Sequence, residues 1–169
     1  TVFAGGGSGV YKSMDGGVSW NTSNPALTDY SSSVSSLAVS QNYANDHIVF
    51  TGTPNGLYKS MDGGVNWTGV NFGIMAFSVQ GLVISPDYGS DHTLFVYTNG
   101  YGGLYRSLDG GISWNKTNSG LPAYTNFTSL AISPNYGADQ TLFAGTGNGL
   151  YKSTDKGATW NHLGNTGYA

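Results

Sequence analysis

Apolar residues fall in short runs separated by Gly, Ser, Asn and Asp, and the same series of runs returns along the chain. Ser36-Leu-Ala-Val-Ser40 reappears as Gly81-Leu-Val-Ile-Ser85 and as Ser129-Leu-Ala-Ile-Ser133. Each precedes a second run, Ile48-Val-Phe50, Thr93-Leu-Phe95 or Thr141-Leu-Phe143, to which Val2-Phe3-Ala4 corresponds near the start. A third run follows a Gly-containing turn: Val10-Tyr-Lys12, Leu57-Tyr-Lys59, Leu104-Tyr-Arg106 and Leu150-Tyr-Lys152. A Trp then opens a fourth. Runs this short, rich in β-branched and aromatic residues and bounded by turn formers, predict strands and not helices. Four strands per repeat, named A to D in this order, predict an all-β chain of β-propeller blades.

The repeat is sharpest between strands C and D. Ser13-Met-Asp15-Gly-Gly17-Val-Ser-Trp20 returns as Ser60-Met-Asp62-Gly-Gly64-Val-Asn-Trp67. It returns again as Ser107-Leu-Asp109-Gly-Gly111-Ile-Ser-Trp114 and as Ser153-Thr-Asp155-Lys-Gly157-Ala-Thr-Trp160. The four Asp residues lie 47, 47 and 46 positions apart. The element resembles the Asp-box, or bacterial neuraminidase repeat, of sialidases, xyloglucanases, sortilin-type receptors and photosystem II assembly factors. The resemblance implies that each box forms the C–D turn of a blade. The residue chemistry agrees: a short carboxylate accepts backbone N–H groups of its own turn, and glycine permits positive φ. Trp is expected to pack over the loop. The chain reads as one array with units near 1–33, 34–76, 77–126 and 127–169. The first unit starts at its B strand, so three full blades and three strands of a fourth are expected.

Spacing separates two sets of connections. A to B, from Leu37 to Phe50, Leu82 to Phe95 and Leu130 to Phe143, is always 13 residues, and C to D, from Tyr to Trp, is always 9. B to C is 8, 8, 10 and 8, and D to A is 17, 15 and 16. In an up-and-down blade the two variable sets share one face. That face is expected to hold Asp29, Tyr30, Phe72, Met75, Phe77, Tyr101, Tyr124 and Phe127, with Asn55, Asn99 and Asn148 in the turns. Tyr30, Phe72, Phe77, Tyr101 and Tyr124 are its candidate binding residues, since loops on a rigid scaffold carry function and exposed aromatics suit sugars or proteins. The competing expectation is that such aromatics fill the seams between blades.

Composition narrows the chemistry. Charged residues make up 9% of the 169, net charge is −3, and all nine acidic residues are Asp. No basic face for nucleic acid is expected. There is no Cys, hence no thiolate site or disulfide, and no apolar run long enough for a membrane span. No cofactor is expected. The sialidase mechanism implied by the resemblance needs an arginine cluster and a Tyr–Glu pair, whereas the chain has one Arg and no Glu. A xyloglucanase-like mechanism needs only two carboxylates. Here Asp15, Asp62, Asp109 and Asp155 belong to boxes, and Asp46, Asp91 and Asp139 recur in Tyr-x-x-Asp turns. Asp87 aligns with Asn42 and Asn135, which leaves Asp29. One carboxylate per turn falls short of the oxygens calcium takes, and the His residues show no metal spacing, so no metal is expected.

Sequons stand at Asn21, Asn66, Asn115 and Asn126, candidate glycosylation sites in number close to chance for this composition. The sparse Lys, Arg and Glu suit an extracellular or cell-surface protein. The leading expectation is a non-catalytic scaffold that binds glycan or protein, with self-association through open blade edges. The alternative is a fragment of a glycoside hydrolase, part of a longer propeller whose catalytic residues lie on other blades.

Overall fold

The computed structural model describes residues 1–23, 33–75, 78–98 and 102–164. Strands β1 (Val2–Gly6), β2 (Gly9–Ser13) and β3 (Asn21–Thr22) form a three-stranded sheet. Three four-stranded sheets follow. They are β4 (Ser36–Val39), β5 (Val49–Thr53), β6 (Gly56–Ser60) and β7 (Thr68–Gly69), then β8 (Val79–Ile84), β9 (Leu94–Thr98), β10 (Gly103–Ser107) and β11 (Asn115–Lys116). The last holds β12 (Phe127–Ile132), β13 (Leu142–Thr146), β14 (Gly149–Ser153) and β15 (Asn161–His162). Within each sheet the strands pair antiparallel in chain order. These are the blades, one of three strands and three of four among the described residues.

Two details differ from the sequence reading. The fourth strand opens one residue after the Trp, which stays in the turn. The Tyr-x-x-Asp segments are single helical turns, α1 (Tyr43–Asp46), α2 (Tyr88–Asp91) and α3 (Tyr136–Asp139). Each is closed by a left-handed residue, His47, His92 or Gln140, with φ of 53°, 52° and 54°. No helix among the described residues is long and apolar enough to cross a membrane.

The core lies in the seams between successive sheets. Val10, Val49 and Trp67 fill the first, together with the partly buried Phe3 and Tyr43. Phe50, Leu57, Tyr88, Leu94, Tyr105 and Trp114 fill the second. Phe95, Leu104, Tyr136, Leu142, Tyr151 and Trp160 fill the third. Phe127, expected on the loop face, is instead buried where it begins β12, its ring 5.6 Å from that of Tyr97. An aromatic at the inward-facing start of an A strand has a seam to fill.

Candidate functional site

The box geometry follows from a buried serine. Ser107 Oγ donates to Asp109 Oδ1 at 2.7 Å and accepts the Gly111 N–H at 2.8 Å. Asp109 Oδ1 then accepts the Ser113 N–H at 2.9 Å, and Oδ2 accepts the Ser113 hydroxyl. Asp15 and Asp155 are bound in the same way by Ser19 and Thr159. In the second box Asn66 replaces the hydroxyl, its Nδ2 donating to Asp62 Oδ2 at 2.7 Å. These bonds favour the charged carboxylate. The backbone and side chain of Asn66 hold the Asp62 pKa at about 2. For Asp109, burial pulls upward but the Ser113 bonds outweigh it, again leaving about 2. Asp15, held by Ser19, is shifted the same way.

The Tyr-x-x-Asp carboxylates are engaged as well. Asp46 accepts the Ile48 N–H at 2.9 Å and the Ser40 hydroxyl at 2.5 Å. Asp91 and Asp139 do likewise with Thr93 and Ser85, and with Thr141 and Ser133. The helical turns then receive the boxes: the N–H groups of Gly63, Gly110 and Lys156 donate to the carbonyls of His47, His92 and Gln140. The A–B and C–D connections therefore share one face. On the other, the Leu57 and Leu104 N–H groups donate to the side-chain oxygens of Asn71 and Asn118, joining the B–C and D–A connections.

The Trp residues do more than cover their own loops. Trp67, Trp114 and Trp160 are buried, and their indole N–H groups donate to the Ser23, Val70 and Thr117 carbonyls of the preceding sheet. Trp20 bonds to Gly17 O of its own box.

On the loop face, Phe72 and Tyr124 are 80% and 72% exposed. Tyr124 borders a hollow of about 300 Å³ shared with Gly103, Lys116, Asn118, Leu121 and Pro122. Tyr30, Phe77 and Tyr101 lie outside the described residues, as do Asp29 and Asn99. The sequence reading missed the non-aromatic lining of this hollow, whose one signal is the Leu121-Pro122 pair inside a variable connection. It also missed a groove of about 540 Å³ on the box side, lined by Lys59, Met61, Asn66, Thr68, Val70 and Ile112. Its signal is that the second and sixth box positions are apolar in three copies although Met61 and Ile112 are exposed.

The sequons divide. Asn66 is spent inside its box, whereas Asn21 and Asn115 lie exposed on edge strands and Asn126 is exposed before β12. Among the described residues no cluster of His, Cys, Asp or Glu is placed to hold a metal ion.

The BNR/Asp-box repeat family matches residues 105–116. No curated protein matches the chain. Among solved structures, an ancestral GH74 enzyme is similar at 23% identity and a TM-score of 0.79, over 98% of this chain and 22% of that one. A GH74 enzyme from Niastella koreensis is 25% identical with a TM-score of 0.61, over 78% and 21%. The extracellular domain of a one-component system from B. thetaiotaomicron is 18% identical with a TM-score of 0.68, over 95% and 20%. The chain thus spans about a fifth of the length of each. One box matches the BNR/Asp-box repeat, three more are built on the same hydrogen bonds, and the blades have the β-propeller fold.

Proposed function

We propose that the chain is a non-catalytic binding scaffold, acting outside the cell or at its surface, that takes a glycan or protein on its loop face. The destination of the carboxylates carries this reading. Seven of the eight described Asp residues are bound within boxes or helical turns, and only Asp87 stands outside both roles. Glycoside hydrolysis by an acid–base or acid–nucleophile pair needs two carboxyl groups facing one bond. The loop face instead offers rings, with Tyr124 over a hollow and Phe72 exposed. The extracellular placement rests on the sparse charge and on the likeness to an extracellular domain. A glycan array and a surface-protein pull-down test the reading. Binding is expected, reduced at least tenfold by Tyr124→Ala with melting unchanged, and a chain that retains nothing on either sinks it.

A second reading is that these blades belong to a glycoside hydrolase whose reacting groups lie on other blades. The match over 98% of this chain but 22% of the GH74 enzyme favours it. Release of oligosaccharides from xyloglucan by a longer polypeptide that includes these blades, with none released by the 169-residue chain alone, would reverse the order of the two.

A further inference from the structure

Charge is divided unequally between the two faces. Among the described residues every Asp lies on the box side, in a box, in a helical turn or, for Asp87, at the head of α2. Five of the six basic residues lie there too. Lys12, Lys59 and Arg106 donate to the carbonyls of Gly63, Gly110 and Lys156 in the next box. Lys152 lies over the Phe143 ring, and Lys156 itself belongs to a box. The sixth, Lys116, lines the hollow that Tyr124 borders on the loop face. A chain of net charge −3 therefore keeps a cation, and no described carboxylate, where its variable connections meet.

The walls of the hollow supply the rest of a binding site. Leu121 and Pro122 give it an apolar side. Asn118 sets an amide in the wall, held in place because the Leu104 N–H donates to its Oδ1 at 2.8 Å. Tyr124 has a φ of 60°, a left-handed conformation that is an outlier for a bulky residue, and its ring stands mostly in solvent. Backbone strain of this kind persists only where the surrounding structure holds it, and it clusters at ligand clamps. At about 300 Å³ the hollow is at the small end of the range for ligand sites. That size suits one ring-sized unit of a longer polymer.

We propose that this hollow binds a carboxylated pyranose, a uronic acid unit of an acidic polysaccharide. The C–H face of the sugar lies on the Tyr124 ring and against Leu121 and Pro122, apolar surface on apolar surface. Its carboxylate pairs with the Lys116 ammonium, and the Asn118 amide bonds a ring hydroxyl. The carboxylate follows from charge complementarity: Lys116 is the one charged side chain in the lining, on a face with no described Asp. The inference rests on the reading of the loop face as a binding surface and names the class of glycan it takes.

The test is isothermal titration of the 169-residue chain with oligomers of galacturonate and of mannuronate, their methyl esters, and a poly-glutamate peptide. At least one of the two acids is expected to bind about tenfold more tightly than its ester, which has the same skeleton without the charge. Added salt should narrow that preference. Lys116→Gln is expected to lower affinity for the acid to that for the ester, with melting unchanged. Tyr124→Ala should weaken acid and ester alike, and Tyr124→Phe should retain both. Equal affinity for acid and ester, or an acid that binds Lys116→Gln as it binds wild type, overturns the proposal. So does poly-glutamate bound as tightly as the uronates, which would assign the hollow to an acidic protein segment. A chain that ignores both uronates yet is retained by a neutral glycan or a surface protein also overturns it, while leaving the loop face a binding surface. A chain retained by nothing removes both readings.

Discussion

The two faces of the blades are tied down to different degrees. On the box face, the connections of 13 and 9 residues never vary, because almost every position is hydrogen-bonded. The serine and aspartate of each box fold its loop, and the box is bonded in turn to the helical turn of its own blade. On the loop face, the blades are pinned at scattered points, such as Asn71 to Leu57 and Asn118 to Leu104. Between these points chain length changes and rings such as Phe72 and Tyr124 stand in solvent. Invariance marks the face whose connections are tied down most densely, and variation marks the face proposed to bind.

Acid is expected to produce the largest effect on this contrast. The Asp62 and Asp109 carboxyls lie at about 2 when folded, below the ordinary 3.8, and Asp15, Asp139 and Asp155 are shifted the same way. Groups with depressed folded pKa values contribute stability that is complete above about pH 4 and lost as pH falls through about 2. Thermal melting followed by circular dichroism should therefore hold from neutral pH to about pH 5 and fall between about 4 and 2. A level melting temperature across that window would detach the box carboxylates from the rigidity of their face.

Gly73→Ala comes next and probes the point where a D–A connection meets the Trp of the next box. Gly73 has a φ of 98°, and a Cβ there would meet the Trp114 carbonyl at 2.2 Å. A loss of about 3 kcal/mol in urea unfolding is expected from the clash and the backbone strain together. A loss below about 1 kcal/mol would show that even the pinned points of the variable connections give way.

Ser107→Ala acts on the box face. It leaves the buried Gly111 N–H without its acceptor and Asp109 without one donor, and should lower stability by about 2 kcal/mol. An effect as large as that of Gly73→Ala would reverse the expected ranking of the two positions.

Phe72→Ala is expected to change stability least, within about 0.5 kcal/mol, since the ring is 80% exposed. If it melts the chain as Ser107→Ala does, the loop face is structural and the contrast fails.

The features legible in the sequence are those set within a few residues. The carboxylate of Asp109 and the hydroxyl of Ser107 act on neighbours two to four positions away. Local chemistry of that kind repeats wherever the motif repeats, so the strand order, the C–D turn and the roles of seven aspartates could be read directly. Tyr-x-x-Asp was legible as a turn but not as a helical one, because closing it takes a left-handed His or Gln, residues with no strong preference for that conformation.

Tertiary structure decided what each repeat does to the next. Nothing near Trp114 in the chain says that its indole N–H bonds to Val70, 44 positions earlier, or that Lys59 reaches Gly110, 51 positions later. It also decided which aromatics are sealed in seams, as Phe127 is, and which stay in water, as Tyr124 does. By itself the sequence determined the blade, whose hydrogen bonds close within one repeat. Packing determined the seams, because contacts between sheets depend on how two blades are juxtaposed, which no local pattern encodes.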